Sequence, residues 1–479
     1  VTVTRATESL AMADYELIKK ELDGIALEDN PRLVQAKSRD FYWYSPVLKA
    51  QLEHVTGDLI ASPKSEEEVI RILRTAHAHG VPVTARGGGT GNYGQAMPLS
   101  GGIVLDMSKM DAVKEIHPGR VICEPGVIIA QLDKQTRTHS GQELRFHPST
   151  AKTATIGGFI AGGSGGVGSV TWGGLRDLGN ILRLRIVTME AEPRVMELST
   201  WDLQKVSHAY GTNGIITEVE MPLAPAYDWV DVIVGHETFM DAVMFADKVA
   251  RSNGLLLKEV APIAAPIPFD YFTRHKPWLK EGEAVTVLMI APHSMPGLEA
   301  LCERMKGEIR FRSGTAESMK GIPDAYELAW NHTTLRALKF DSSFTYLQVQ
   351  YPGPDHVELV RKTTEMFPDE LIGHLELLRF DGQIQCSGLP LIRYTTEERL
   401  NEIVRLHEEN GCPVFNPHRY TLEEGGMKRT DPVQFAFKKE TDPQGLLNPG
   451  KMIAWENPDF DFEAGENYLF PGLHAFEEA

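Results

Sequence analysis

Cysteine is scarce, with four residues in 479, Cys123, Cys302, Cys386 and Cys412, and no CxxC pair or zinc-like spacing among them. At that density no disulfide framework is expected, and a reducing cytoplasm is the expected compartment. Long apolar runs are missing too. No stretch approaches the roughly 18 residues of a membrane span, and the N-terminal VTVTRATESLAMADYELIKKELDG lacks the apolar core of a signal peptide. Positive charge is in deficit, 48 Lys and Arg against 66 Asp and Glu, a formal charge of −18. That balance disfavours non-specific binding to nucleic acid or to anionic membranes, while leaving a local basic pocket open. The HExxH and HxxxH metal patterns are absent, as are internal repeats and low-complexity tracts, and no resident metal is expected.

What is present is an ordinary globular composition, 42% hydrophobic and 24% charged, in a chain long enough for two or three lobes. Residues 13–24 read as an amphipathic helix, followed by an aromatic stretch with Phe41–Pro46. From Leu59 the order is strand (LIASP), Ser-capped acidic-start helix (SEEEVIRILRTAHAHG), strand (VPVTAR), glycine turn and strand (GGIVLDMSKM). RVICEPGV, VIIAQLDKQTRTHSG and ILRLRIVTMEAEPRVMEL continue as strand, helix and hairpin, and GIITEVEMPLAP closes the region as a strand. Beyond about Tyr227, helical segments (HETFMDAVMFADKVARSNG, MPGLEALCERMKG, TTEERLNEIVRLHEENG) alternate with apolar strands (AVTVLMIAP, SFTYLQVQYPG). The fold class expected is α+β, divided as 1–58, 59–226, 227–440 and 441–479.

Two glycine-rich segments carry the chemistry. Arg86-Gly87-Gly88-Gly89-Thr90-Gly91-Asn92 follows a strand, and its unobstructed N–H groups can form an anion nest suited to a diphosphate. It is neither a P-loop, since GxxxxGK[ST] is absent, nor a Rossmann fingerprint, since no helix follows. Thr155–Gly174 holds nine glycines in twenty residues, interleaved with Ile156, Phe159, Ile160, Val167, Val170 and Trp172. A flexible linker would be polar; this composition reads as a packed loop against a planar ligand. Ala209–Thr217 adds small and hydroxyl residues running into a strand.

In PVTARGGGTGNYGQAMPLSGGIVLDMSKM (82–110), HPSTAKTATIGGFIAGGSGGVGSVTWGGLRDLGNIL (147–182), AYGTNGIITEVEMPL (209–223) and TDPQGLLNPGKM (441–452) the chain resembles flavoproteins of the vanillyl-alcohol oxidase / p-cresol methylhydroxylase (PCMH) type. The resemblance implies a PCMH-type FAD-binding domain of two α+β subdomains, completed by the C-terminal segment, and an α+β cap carrying the substrate. It implies diphosphate contacts from Arg86, Gly87, Gly88, Gly89, Thr90, Gly91, Asn92 and Gln95. His147, Pro148, Ser149, Thr155, Gly157, Gly158 and Gly162 would lie along the ribityl and ring side. Gly211, Gly214, Ile215 and Ile216 would hold the adenosine, and Asn448 belongs to the C-terminal signature. Many relatives attach FAD through a histidine in the first loop; Thr90 stands in that stretch here, so non-covalent FAD is expected.

The form RGGGTG…GQ…GGIVLDMS is most similar to the branch that oxidises D-2-hydroxy acids, and this resemblance implies an oxidase or dehydrogenase of CH–OH donors. Metal-assisted members carry HVGDGNxH-type and EHGxG-type cap motifs. The counterparts here, LRFDGQIQCSG (378–388) and YTLEEGGMK (420–428), lack those histidines, with Glu424 where one would fall. Substrate-side candidates are His418 as base, Arg419 or Arg393 as carboxylate clamp, Tyr420 as an oxyanion-orienting group, and His332 with Arg336 on one helix face. The alternatives are an aryl-alcohol substrate, favoured by cap tyrosines with Trp278 and Trp330, and a flavin-binding subunit without its own activity. A homo-oligomer, a dimer, is the expected assembly.

Overall fold

The computed structural model describes residues 13–314, 319–380, 382–426, 430 and 432–462. The first twelve residues, the tail from 463, and Met427 and Lys428 of the 420–428 cluster lie outside the described residues.

Leu59–Ser62, Ile103–Asp106 and Val83–Arg86 pair in parallel, with Ala26–Glu28 antiparallel at one edge. The two inner strands are apolar because both faces are covered. On one side lies the helix Glu66–Ala78, started by the Ser65 side chain accepting from Glu68 N. It buries Val69, Ile72, Leu73 and Ala76 in one core with Leu59, Val83 and Leu105. Val83–Arg86 ends at the first glycine segment, which therefore emerges at the carboxyl edge of a parallel sheet.

A second, antiparallel sheet runs Val113–His117, Arg120–Cys123, Ile215–Pro225, Arg183–Val187, Val195–Ser199, with Gln142–Leu144 on the far end of its long central strand. The helix Ile129–Ser140 stops at Gly141, whose φ of +63° is the left-handed cap that ends the helix. The second glycine segment is not wholly a loop. It contains the short helix Ile156–Gly162, started by Thr155, whose Oγ1 accepts from Gly158 N at 3.2 Å.

Between residues 230 and 312 a four-stranded antiparallel sheet forms in the order Leu257–Ile263, Ala284–Ile290, Val230–His236, Glu308–Arg312. The helices Phe239–Ala250 and Met295–Met305 share one core with it. The apolar run 343–351 reads as one strand in sequence but is divided between two small sheets. Phe344–Tyr346 pairs with Leu391–Arg393, and Val349–Tyr351 pairs with Gln383–Gly388. The break falls at Leu347 and Gln348, which bond instead to Pro390 and Phe415.

Residues 446–448 return to the first sheet. Val83 N donates to Leu446 O and Asn448 N to Val83 O, at 2.8 and 2.9 Å, and Leu447 enters the first-sheet core. The four cysteines are free and buried. Among the described residues no helix is long and apolar enough to cross a membrane.

Candidate cofactor and substrate site

One cleft joins the two glycine segments to the small sheets of the cap. Its floor is Gly87–Tyr93, Gln95, Pro148–Thr150, Thr155, Gly158 and Gly162–Gly165 with Tyr210 and Gly211; its roof is Trp330, Asn331, Gln348, Gln350, Leu378, Phe380, Ser387, Leu389 and Phe415. Among the described residues, the backbone amides of Gly88, Gly89, Thr90, Gly91 and Asn92 donate to no protein atom, and neither does the buried Asn92 Nδ2. Buried donors are ordinarily satisfied. A run of free amides at the end of a strand, beside a neutral buried donor, is a fit for a diphosphate.

The glycines have a second cause that the sequence did not reveal. A Cβ on Gly87 would overlap Thr155 Oγ1, and one on Gly88 would overlap the Thr153 carbonyl. Much of the glycine content therefore lets the two segments pack on each other, with Gln95 Nε2 donating to Gly162 O at 3.0 Å across the seam.

Of the residues expected at the cofactor, Gly87, Gly88, Gly89, Thr90, Gly91, Asn92, Gln95, Pro148, Ser149, Thr155, Gly158, Gly162 and Gly211 share the cleft. Arg86, His147, Gly157, Gly214, Ile215, Ile216 and Asn448 do not line it. Arg86 turns behind the loop, where its Nη1 donates to the carbonyls of Lys37, at 2.9 Å, and Arg39. His147 bonds through Nδ1 to Pro148 O at 3.0 Å, and burial pushes its pKa down to about 4. Gly157 packs on Pro125, Gly214 on Ile186, and Ile215 and Ile216 pair with Val187 and Ile186 in the second sheet.

The substrate-side candidates are dispersed. His418 is buried away from the cleft, its Nδ1 2.7 Å from Ser45 Oγ and its Nε2 2.9 Å from Tyr346 O. Burial lowers its pKa to about 3. Arg419 turns to Glu397 at 3.6 Å, and Arg393 stands over the Phe344 ring, 3.9 Å from Asp341. Tyr420 packs with Leu48, Leu52 and Met97 under Lys451. His332 is pushed down to about 4 by burial and does not line the cleft, while its neighbour Asn331 does. Glu424 accepts from Thr421 Oγ1 at 2.9 Å. The histidine that does line the cleft is His208, whose Nδ1 is 2.8 Å from Gly163 O. It directly precedes the AYGTNG motif, and that adjacency was the one available signal for it.

A family model described as an FAD binding domain matches residues 57–197. The chain is 34% identical to the D-lactate dehydrogenase of Archaeoglobus fulgidus over 82% of this chain and 91% of that protein. This chain belongs to the FAD-linked oxidoreductases of the vanillyl-alcohol oxidase / PCMH type. It is also 30% identical to the glycolate oxidase subunit GlcD of Bacillus subtilis, over 83% of this chain and 89% of that one. Its fold is that of alkyldihydroxyacetonephosphate synthase, with a TM-score of 0.69 at 17% identity over 91% of this chain and 86% of that one. The expected α+β PCMH-type fold and the assignment as an FAD-linked oxidoreductase both hold.

Proposed function

We propose that this oxidoreductase dehydrogenates a small D-2-hydroxy acid, with FAD held non-covalently. The observation that carries this reading is the similarity to a D-lactate dehydrogenase over 82% of this chain, joined to a cleft whose glycine floor faces a neutral polar roof. Bound FAD supplies a hydride acceptor for the carbon that bears the hydroxyl.

The protein's own part is binding and orientation. The free amides of Gly88–Asn92 receive the diphosphate, and Pro148–Thr150 with Gly162–Gly165 border the adjoining stretch of the cleft. Across it, the amides of Asn331, Gln348 and Gln350 and the Ser387 hydroxyl offer donors to a carboxylate, while Leu378, Leu389 and Phe415 exclude water beside them. Held this way, a substrate carbon is presented to the floor without mobile solvent between, which lowers the entropic part of the barrier. Thr90 on the first loop, where many relatives carry the linking histidine, supports non-covalent attachment.

Purified protein should carry a flavin spectrum, and acid precipitation should release the flavin into the supernatant. Under anaerobic conditions D-lactate or D-2-hydroxyglutarate should bleach it. The aromatic side chains Tyr93, Trp330, Phe380 and Phe415 around the same cleft favour an aryl alcohol as the second reading. Bleaching by vanillyl alcohol alone would establish it in place of the first. A flavin that none of these reduces would point to a subunit without its own dehydrogenase activity.

A further inference from the structure

Trp330 is the N-cap residue of the helix Asn331–Phe340, and its backbone lies at φ +51°, ψ −144°. A bulky residue with positive φ is strained and persists only where its surroundings fix it. Two buried carboxyl groups do so. Glu376 Oε1 accepts from Trp330 N at 2.5 Å, and Glu259 Oε2 accepts from the indole Nε1 at 2.9 Å. Both ends of one tryptophan are thus gripped by side chains from two different cap strands, Leu257–Ile263 and Leu375–Phe380.

Burial raises the pKa of both carboxyl groups, Glu376 to about 7, and the nearby Glu376 adds to the rise at Glu259. Glu259 Oε1 also accepts from Val260 N at 3.1 Å, and His374 Nε2 stands 2.8 Å from Glu376 Oε1. All three side chains are buried. None lines the cleft, so the arrangement acts only through what it holds. What it holds is an indole that lines the cleft, with its Cη2 corner 3.7 Å from the position a Cβ would take on Gly165 of the second glycine segment.

We infer that Trp330 is a specificity-determining residue, a fixed wall that limits the size of the side group a substrate carries beside its reacting carbon. Glu259 and Glu376 are its positioning residues. The inference rests on the reading of the cleft as the site of a 2-hydroxy acid, and it adds that the acid is a small one. Trp330→Ala opens the wall. Trp330→Phe keeps an aromatic ring but loses the Cη2 corner and the hydrogen bond to Glu259, so it opens the wall in part. Glu259→Gln keeps a carbonyl acceptor for the indole N–H and so keeps the ring held, whereas Glu259→Ala releases it.

The readout is a ratio of ligand affinities, measured from the perturbation of the oxidised flavin spectrum by phenylpyruvate and by pyruvate, which needs no turnover. Trp330→Ala should move this ratio at least about tenfold towards phenylpyruvate, the scale on which hydrophobic pockets discriminate by size. Glu259→Ala should move it in the same direction, Trp330→Phe should fall between wild type and Trp330→Ala, and Glu259→Gln should stay within about threefold of wild type. A merely structural role would lower thermal stability and flavin content and leave the ratio where it was. An unchanged ratio in Trp330→Ala at normal flavin content overturns the inference, as does failure of wild type and variant alike to bind either acid. If the ratio moves but no hydroxy acid bleaches the wild-type flavin, the substrate reading fails while the wall stands.

Discussion

Asn448 donates its side-chain amide to the carbonyl of Tyr210 at 2.8 Å, joining the C-terminal signature to the floor of the cleft. The same Nδ2 donates to Gln95 O at 2.8 Å, and the residue sits at φ +42°. Asparagine tolerates that left-handed backbone better than most residues. The C-terminal signature thus acts as a staple under the first glycine loop, without lining the cleft itself. Asn448→Ala leaves two buried carbonyls without their donor, at a cost of about 1–3 kcal/mol for each unsatisfied group. It should lower the melting temperature by several degrees and accelerate loss of flavin on dilution. Asn448→Gly relieves the backbone and not the hydrogen bonds, so it should show most of the same loss. Recovery of wild-type flavin retention in the glycine variant would mean that backbone strain, and not the staple, was responsible.

Features written in local sequence were legible. The Ser65 cap with Glu66, Glu67 and Glu68 behind it marked a helix start, Gly141 marked a helix end, and the glycine segments announced a cleft. The substrate wall was not, because it depends on how short strands pair. Gln348, Gln350 and Ser387 reach the cleft through the split at Leu347 and the register that sets Gln350 opposite Ser387. His418, Arg419 and Tyr420 mislead for the opposite reason. They are consecutive and polar, yet the turn that carries them sends one inward, one to Glu397 and one onto an apolar cluster. Adjacency in sequence says nothing about a shared direction once the backbone leaves helix and strand.

The cap strand Leu257–Ile263 is tied to the second sheet by a buried ion pair. Lys258 Nζ donates to Glu143 Oε1 at 2.7 Å and to Leu144 O at 3.2 Å, with both charged side chains 4% exposed. Removing one partner of such a pair strands the other, at about 3–5 kcal/mol. Glu143 also meets Arg137 and the Trp229 indole, so Lys258→Met should fall at the lower end of that range. Lys258→Met with Glu143→Gln should recover part of the loss, because no uncompensated charge remains. Urea denaturation of the three proteins tests this, and additive losses in the double variant would count against a coupled pair.

His418 offers a test in which stability and chemistry separate. Its ring accepts from the Ser45 hydroxyl at Nδ1 and donates from Nε2 to Tyr346 O, a neutral tautomer that the buried site enforces. The folded pKa of about 3 lies below the ordinary value of 6.5. Below pH 6.5 the unfolded chain therefore binds a proton that the folded chain refuses. The stability of the neutral form is present in full above that pH. It is lost at about 1.4 kcal/mol per pH unit as pH falls towards the folded value. His418→Gln can accept from Ser45 and donate to Tyr346 without titrating. Its melting temperature should match wild type near pH 7 and decline less steeply between pH 6 and 4. Because His418 does not line the cleft, the pH dependence of anaerobic flavin reduction should be the same in both proteins. Loss of an ionisation from that rate profile, in a variant that keeps its flavin and its stability at pH 7, would return His418 to the role of substrate base.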